Sequence, residues 1–325
     1  MTSRMTSFQK LAATTVIATL VLIAIGSLVR TTGSGLGCPD WPLCHGNWYP
    51  PLERTAIIEY SHRTAAAIVG LLIVAVAVVV ATRHRGDRAL RLLALGSLPL
   101  LAFQAWLGKV TVEHELPPSV VTLHLANALI LLAILAALAT YAFLGTGRTR
   151  VEARAGMANV LLACATVTYL VLISGAYVVN AGATTACPSW PGCIAARVPF
   201  LEGGFEQHVH WLHRITVLVG TGAVALAVLT VVQSPGRGDA TVSEGLRVSA
   251  WLLGALYLGQ ILVGAANIWM QFAESVRIAH LVLGAAIWAL LVVMAVVARY
   301  RTAPVASTAG RPVDASSTNG EAVRA

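Results

Sequence analysis

Cys38-Pro39-Asp40-Trp41-Pro42-Leu43-Cys44 with Glu59-Tyr60-Ser61-His62-Arg63, and Cys187-Pro188-Ser189-Trp190-Pro191-Gly192-Cys193 with His210-Trp211-Leu212-His213-Arg214, lie about 150 residues apart and say nearly the same thing. Each copy carries a cysteine pair in a loop and then a histidine where a long apolar run begins. Working outward from them, Gln104 aligns with Gln260, and His124 with His280. The small drift in offset between these matches falls in loops. The chain is a duplicated unit, and each unit carries two histidines at corresponding places.

The composition decides the solvent. With 57% hydrophobic and 11% charged residues and a mean hydropathy of +0.76, 325 residues lack the charge that a water-facing surface needs. A bilayer core takes about 20 apolar residues per helix. Eight such runs are predicted, near 11–30, 62–82, 92–112, 120–143, 157–180, 211–232, 248–269 and 279–299. The expected fold class is an all-α integral membrane protein, with two four-helix bundles related by a pseudo-twofold axis along the membrane normal. The expected division is 1–150, 151–301 and a disordered tail over 302–325, rich in Ala, Ser, Thr and Gly. The first run lacks a small-residue cleavage site and reads as a retained helix.

The net charge of +8 does not indicate nucleic acid, because the basic residues are spread over short loops. Of the 22 Lys and Arg, 15 fall on the side of both termini. The positive-inside rule therefore predicts cytoplasmic termini and puts the cysteine loops on the outer side. Lipid has no hydrophobic drive to press helices together, so Gly26, Gly70, Gly108, Gly175, Gly220 and Gly264 are candidates for close helix approach.

His62, His124, His213 and His280 all fall near the outer ends of even-numbered helices, two per bundle. Two neutral imidazoles facing each other across a bundle suit the axial positions of a haem iron. A structural zinc site wants four ligands and fits less well. Arg63 and Arg214, each next to one of these histidines, are candidate partners for haem propionates or interfacial anchors. His45, His84 and His114 fall in loops. His208 and His210 precede His213 at the rim of the second pair, and Glu206 is nearby but out of register.

The copies differ at one telling place, three residues before the first histidine: Glu59 in the first unit and His210 in the second. That spacing puts Glu59 on the face of His62, where a carboxylate can move a proton. Each cysteine pair, Cys38 with Cys44 and Cys187 with Cys193, lies on the oxidising side, which favours a disulfide within each loop over a metal site and leaves a redox role open. Cys164, inside a helix, reads as a small core residue.

These motifs together resemble the haem A synthase family over nearly the whole chain apart from the tail. The resemblance implies oxidation of the C8 methyl of haem O to the formyl of haem A by successive hydroxylations and loss of water, with the product going to haem-copper terminal oxidases. It further implies that His62 and His124 flank the substrate haem, that His213 and His280 ligate a b-type haem cofactor, and that Glu59 is catalytic. Haem O synthase is then an expected transient partner, beside an unidentified electron partner and the membrane lipid. The residues alone also allow a bis-histidine membrane cytochrome b that takes electrons from quinol, or a module that carries haem unchanged.

Overall fold

In a bilayer every backbone N–H and C=O must find a partner within the protein, so long apolar runs become helices. The computed structural model describes residues 4–145, 150–152, 155–194, 203–234 and 240–302. Within these are α1 (Ser7–Thr31), α2 (Arg54–Arg83), α3 (Arg88–Glu113), α4 (Pro118–Leu144), α5 (Ala155–Asn180), α6 (Phe205–Val232), α7 (Ala240–Trp269) and α8 (Glu274–Arg299), all long and apolar enough to cross a membrane. Large apolar side chains such as Ile17, Leu71, Leu218 and Leu262 point outward, as they do where lipid is the solvent. The disordered-tail expectation falls on 303–325, outside the described residues.

Local chemistry sets the helix ends. Thr6 and Gln9 form a reciprocal capping box on α1. The Asp87 side chain accepts from the Leu90 N–H at the start of α3. Pro118 occupies the first turn of α4, where its missing N–H is not needed. The turns after α3 and α7 are copies of each other. Leu116 N–H returns to Thr111 C=O and Phe272 N–H to Asn267 C=O, with Glu115, Leu116, Gln271 and Phe272 all in the left-handed region.

The helix starts correct the sequence reading. α2 begins at Arg54 rather than near 62, and α6 at Phe205 rather than near 211. A search for apolar windows drops the polar first two turns, yet these remain helical as the chain emerges from the bilayer core. At 1.5 Å per residue, His62 and His213 lie about 12 Å inside their helices, and His124 and His280 about 9 Å. The histidines are thus slightly deeper than the helix entrances.

In each half the helices pack in a ring: α1 on α2, α2 on α3, α3 on α4 and α4 back on α1, then α5 through α8 in the same way. Between the rings, α4 meets α8, while α1 on α8 matches α4 on α5. This pattern is compatible with a twofold axis running between α4 and α8. The largest core cluster straddles the seam, joining Ile23, Leu129 and Leu132 of the first ring to Leu161, Leu253, Leu291 and Met294 of the second. At the end opposite the cysteine loops, β1 (Arg150–Glu152) and β2 (Tyr300–Thr302) pair antiparallel as a short ribbon.

Candidate functional site

Two disulfide-closed loops cap the rings. Cys38–Cys44 and Cys187–Cys193 are bonded, and all four sulfur-bearing residues are fully buried. Both loops contain a cis Trp-Pro bond, Trp41-Pro42 and Trp190-Pro191. An arginine one residue after the first histidine of each pair reaches up into the loop. Arg63 donates to the carbonyls of Asp40 and Leu43 at 2.6 Å and of Cys38 at 2.8 Å. Arg214 does the same with the carbonyls of Ser189, Pro191, Gly192 and Cys187. A rigid five-donor fork suits this gathering of carbonyls better than an ammonium would. Any haem propionate would have to compete with these bonds for the same donors.

The first loop is additionally tied at its rim. The Asp40 carboxylate accepts from His45 N–H at 2.6 Å and Gly46 N–H at 2.7 Å, and the His45 ring contacts Gly37 C=O at 3.0 Å. The Gly46 bond, opposed by desolvation and helped by the His45 bond, holds the Asp40 carboxyl below its ordinary value. Gly37 lies directly on the first turn of α2. A Cβ there would come within 2.4 Å of the Thr55 carbonyl carbon and 2.6 Å of Ala56 N.

Glu59 hangs from this cap. It is 3% exposed, accepts from Cys38 N–H at 2.8 Å through Oε2, and pairs with Arg63 at 2.5 Å through Oε1. His210 occupies the corresponding mounting in the second ring. It too is buried, with Nδ1 3.0 Å from Ala183 C=O and Nε2 3.4 Å from Arg214. The two rings therefore present a carboxyl group and an imidazole at aligned, buried positions, each in contact with the arginine one turn further on. His208 and Glu206 stay at the exposed start of α6, where His208 Nδ1 turns back to Gly204 C=O. His84 packs its ring against Phe8 at 4.5 Å. Cys164 is buried, 3.0 Å from Ala223 C=O, which suits its reading as a small core residue.

Each of the four histidines is seated against a glycine of the preceding odd-numbered helix. A Cβ at Gly26 would meet His62 Cε1 at 3.0 Å, at Gly108 His124 Cε1 at 3.4 Å, at Gly175 His213 Cε1 at 2.9 Å, and at Gly264 His280 Cε1 at 3.1 Å. Sequence reading had picked out these glycines as helix contacts, but not as imidazole seats. The helix register that aligns Gly26 with His62 exists only after packing. His62 and His124 stand on α2 and α4, opposite members of the first ring, and His213 and His280 on α6 and α8, opposite members of the second.

The atoms around the rings differ between the two units. Ser174 Oγ lies 2.9 Å from His213 Nδ1 and 2.8 Å from Thr216 Oγ1. The aligned positions of the first unit hold Ile25 and Ala65, and His62 Nδ1 is buried without a hydrogen-bond partner. Conversely, the Gln104 amide nitrogen lies 3.3 and 3.2 Å from the two ring nitrogens of His124, and Asn127 steadies it by donating to its Oε1 at 2.7 Å. In the second unit Gln260 instead donates to the His280 backbone C=O at 2.8 Å, Leu283 stands in the place of Asn127, and His280 Nδ1 has no partner.

This donor set fits haem. Among the described residues, no three His, Cys, Asp or Glu side chains group as a multi-ligand metal site requires. What each ring offers is two imidazoles on opposite helices, each with its Cε1 edge against a glycine, and one of the two has no protein partner for a buried nitrogen. An orphaned buried nitrogen is expensive, and a group entering between the helices is the partner left for it. Two opposed axial ligands are what a haem iron takes.

The architecture is that of a polytopic membrane protein with two four-helix rings, each carrying a pair of histidines under a disulfide-closed cap. Residues 9–292 match the family described as cytochrome oxidase assembly protein, COX15-CtaA, and the chain belongs to that family. Similar proteins include the haem A synthase of Symbiobacterium thermophilum, 34% identical over 258 residues that cover 76% of this chain and 80% of that one. The haem A synthase of Alkalihalophilus pseudofirmus is 32% identical, covering 82% and 89%. That of Geobacillus thermodenitrificans is 29% identical, covering 95% and 96%.

Proposed function

We propose that the chain is a haem A synthase, an oxidoreductase that converts the C8 methyl of haem O to the formyl of haem A for terminal oxidases. The first ring, residues 1–150, takes haem O between His62 and His124. The second, residues 151–301, keeps a b-type haem between His213 and His280. The observation that carries this reading is the matched mounting of Glu59 and His210. Two sites alike in helix frame, histidine pair and cap differ where a proton would be handled, so one is built for reaction and the other for residence.

A haem bound in the second ring supplies one-electron redox capacity. The chain's own residues do the rest. His62 and His124, seated against Gly26 and Gly108, would hold the substrate between α2 and α4. The apolar ring interior keeps bulk water from the reacting carbon. Glu59, one turn before His62 and braced by Arg63 and Cys38 N–H, holds a carboxylate at the rim, where it takes or returns the proton lost at the methyl. Both caps are disulfide-closed, which supports placing them on the oxidising side with both termini in the cytoplasm. Haem O synthase as a passing partner, and an electron partner not identified by any residue, belong to the same reading.

The test is chromatography and mass spectrometry of haems extracted from the purified protein made beside a source of haem O. Haem B together with haem A or its hydroxylated precursor is expected. The haem A is lost in His62→Ala, and in Glu59→Gln haem B persists without haem A. Haem B alone in the unaltered protein would favour an electron-transfer cytochrome. Full turnover by Glu59→Gln would remove the carboxylate from the chemistry.

A further inference from the structure

We propose that Ser174, backed by Thr216, is the positioning residue that makes the second ring retain its haem, and that Gln104, backed by Asn127, makes the first ring exchange its haem. This rests on the assignment of resident and substrate haem given above. Proton positions make the difference. Ser174 Oγ is placed to donate to Val171 C=O at 2.8 Å, and Thr216 Oγ1 lies 2.8 Å from it. With its one proton engaged on Val171, Ser174 Oγ accepts from His213 Nδ1–H at 2.9 Å, and Nε2 is left as the lone-pair nitrogen. A fixed tautomer and a hydrogen-bonded far nitrogen are what hold a ligating histidine in place and strengthen it.

In the first ring the proton positions come out the other way. Asn127 donates to both Leu100 C=O at 3.0 Å and Gln104 Oε1 at 2.7 Å, so the Gln104 amide is fixed with its nitrogen toward His124. An amide nitrogen can only donate. It therefore bids for the lone pair of His124, the same lone pair that an iron would use, and His62 across the ring has no hydroxyl to steady it. A substrate site must let its product go, whereas a cofactor site must not. The second ring has disarmed the same device: Leu283 replaces Asn127, and Gln260 is turned onto the backbone of His280.

The experiment follows the transfer of haem from the loaded protein in detergent to excess apomyoglobin, together with a reductive titration of the resident haem. Ser174→Ala should speed loss of the resident haem by about 10–100-fold and move its midpoint potential, while Ser174→Thr, which keeps the hydroxyl, stays close to the parent on both. Asn127→Leu should slow release of haem from the first ring. Unchanged release and potential in Ser174→Ala, or faster first-ring release in Asn127→Leu, would overturn the proposal while leaving the site assignment intact. A His213→Ala protein that still keeps its resident haem would overturn the assignment and the proposal with it.

Discussion

The glycine seats give a graded prediction. Carbon atoms in good contact sit about 3.5–4.0 Å apart, whereas a Cβ on Gly175 would lie 2.9 Å from His213 Cε1. The imidazole must then retreat by roughly 0.6–1.1 Å. Overpacking of this kind destabilises by about 1–3 kcal/mol, set against the gain of about 0.8–1.0 kcal/mol from replacing Gly by Ala inside a helix. Gly175→Ala should therefore be destabilising on balance and should pull a ligand about 1 Å out of line, which is enough to empty the site. At Gly108 the distance is 3.4 Å, so the same change should be nearly neutral, with Gly26 and Gly264 at 3.0 and 3.1 Å falling between. Gly70, whose Cβ would lie 3.8 Å from Leu101, is the control: there the helix gain is unopposed and the protein should become more stable. The assay is haem per polypeptide and the thermal midpoint in detergent, measured across the series. If Gly175→Ala keeps a full complement of haem, or if Gly108→Ala loses as much as Gly175→Ala, then imidazole seating is not what these glycines are for.

Two further outcomes concern the cap. Gly37→Ala drives a methyl into the Thr55–Ala56 backbone, which cannot swing aside as a side chain would. The first loop should lift, and Cys38–Cys44 should become reducible by mild thiol reagents, as followed by alkylation and mass shift, while Cys187–Cys193 stays protected. For Asp40 the folded carboxyl titrates below its ordinary 3.8, so its contribution to loop order is present above that value and is lost as pH falls through the depressed one. Reducibility of Cys38–Cys44 by a water-soluble phosphine, which unlike a thiol stays reactive in acid, should accordingly rise on acidification below about pH 4. In Asp40→Asn it should be high and flat across the same range, and a retained pH step in that variant would refute the assignment to Asp40.

Much of the fold was legible because the bilayer leaves the backbone so few options. Eight apolar runs became eight helices, and the duplicated cysteine motifs became two closed caps. The polar turns that open α2 and α6 were missed, since Arg54, Thr55, Glu59 and Tyr60 look like loop to any hydropathy window. The four histidines stood out by their repetition. Their seats did not, because Gly26 and His62 are 36 residues apart and meet only through the crossing of α1 on α2. Arg63 and Arg214 were read as candidates for propionates from their neighbours in sequence. Their bonds to loop carbonyls depend on how a seven-residue loop folds back, which no spacing reveals. Gln104 and Gln260 align residue for residue yet do different work, and the signal that separates them, Asn127 against Leu283, lies on the next helix.

The last of the eight described helices holds the middle of the molecule. α8 packs against α1, α4, α5 and α7, more than half of its apolar window is buried, and Trp288 of α8 donates to the Leu129 carbonyl of α4 at 3.0 Å. At about 5–20 residues per second of synthesis, the flanks of α1 and α4 that receive α8 wait in the membrane for on the order of ten seconds or more before their partner arrives. The first ring can close on itself early, through α1 on α4, but the seam between the rings stays unfilled until α8 is made.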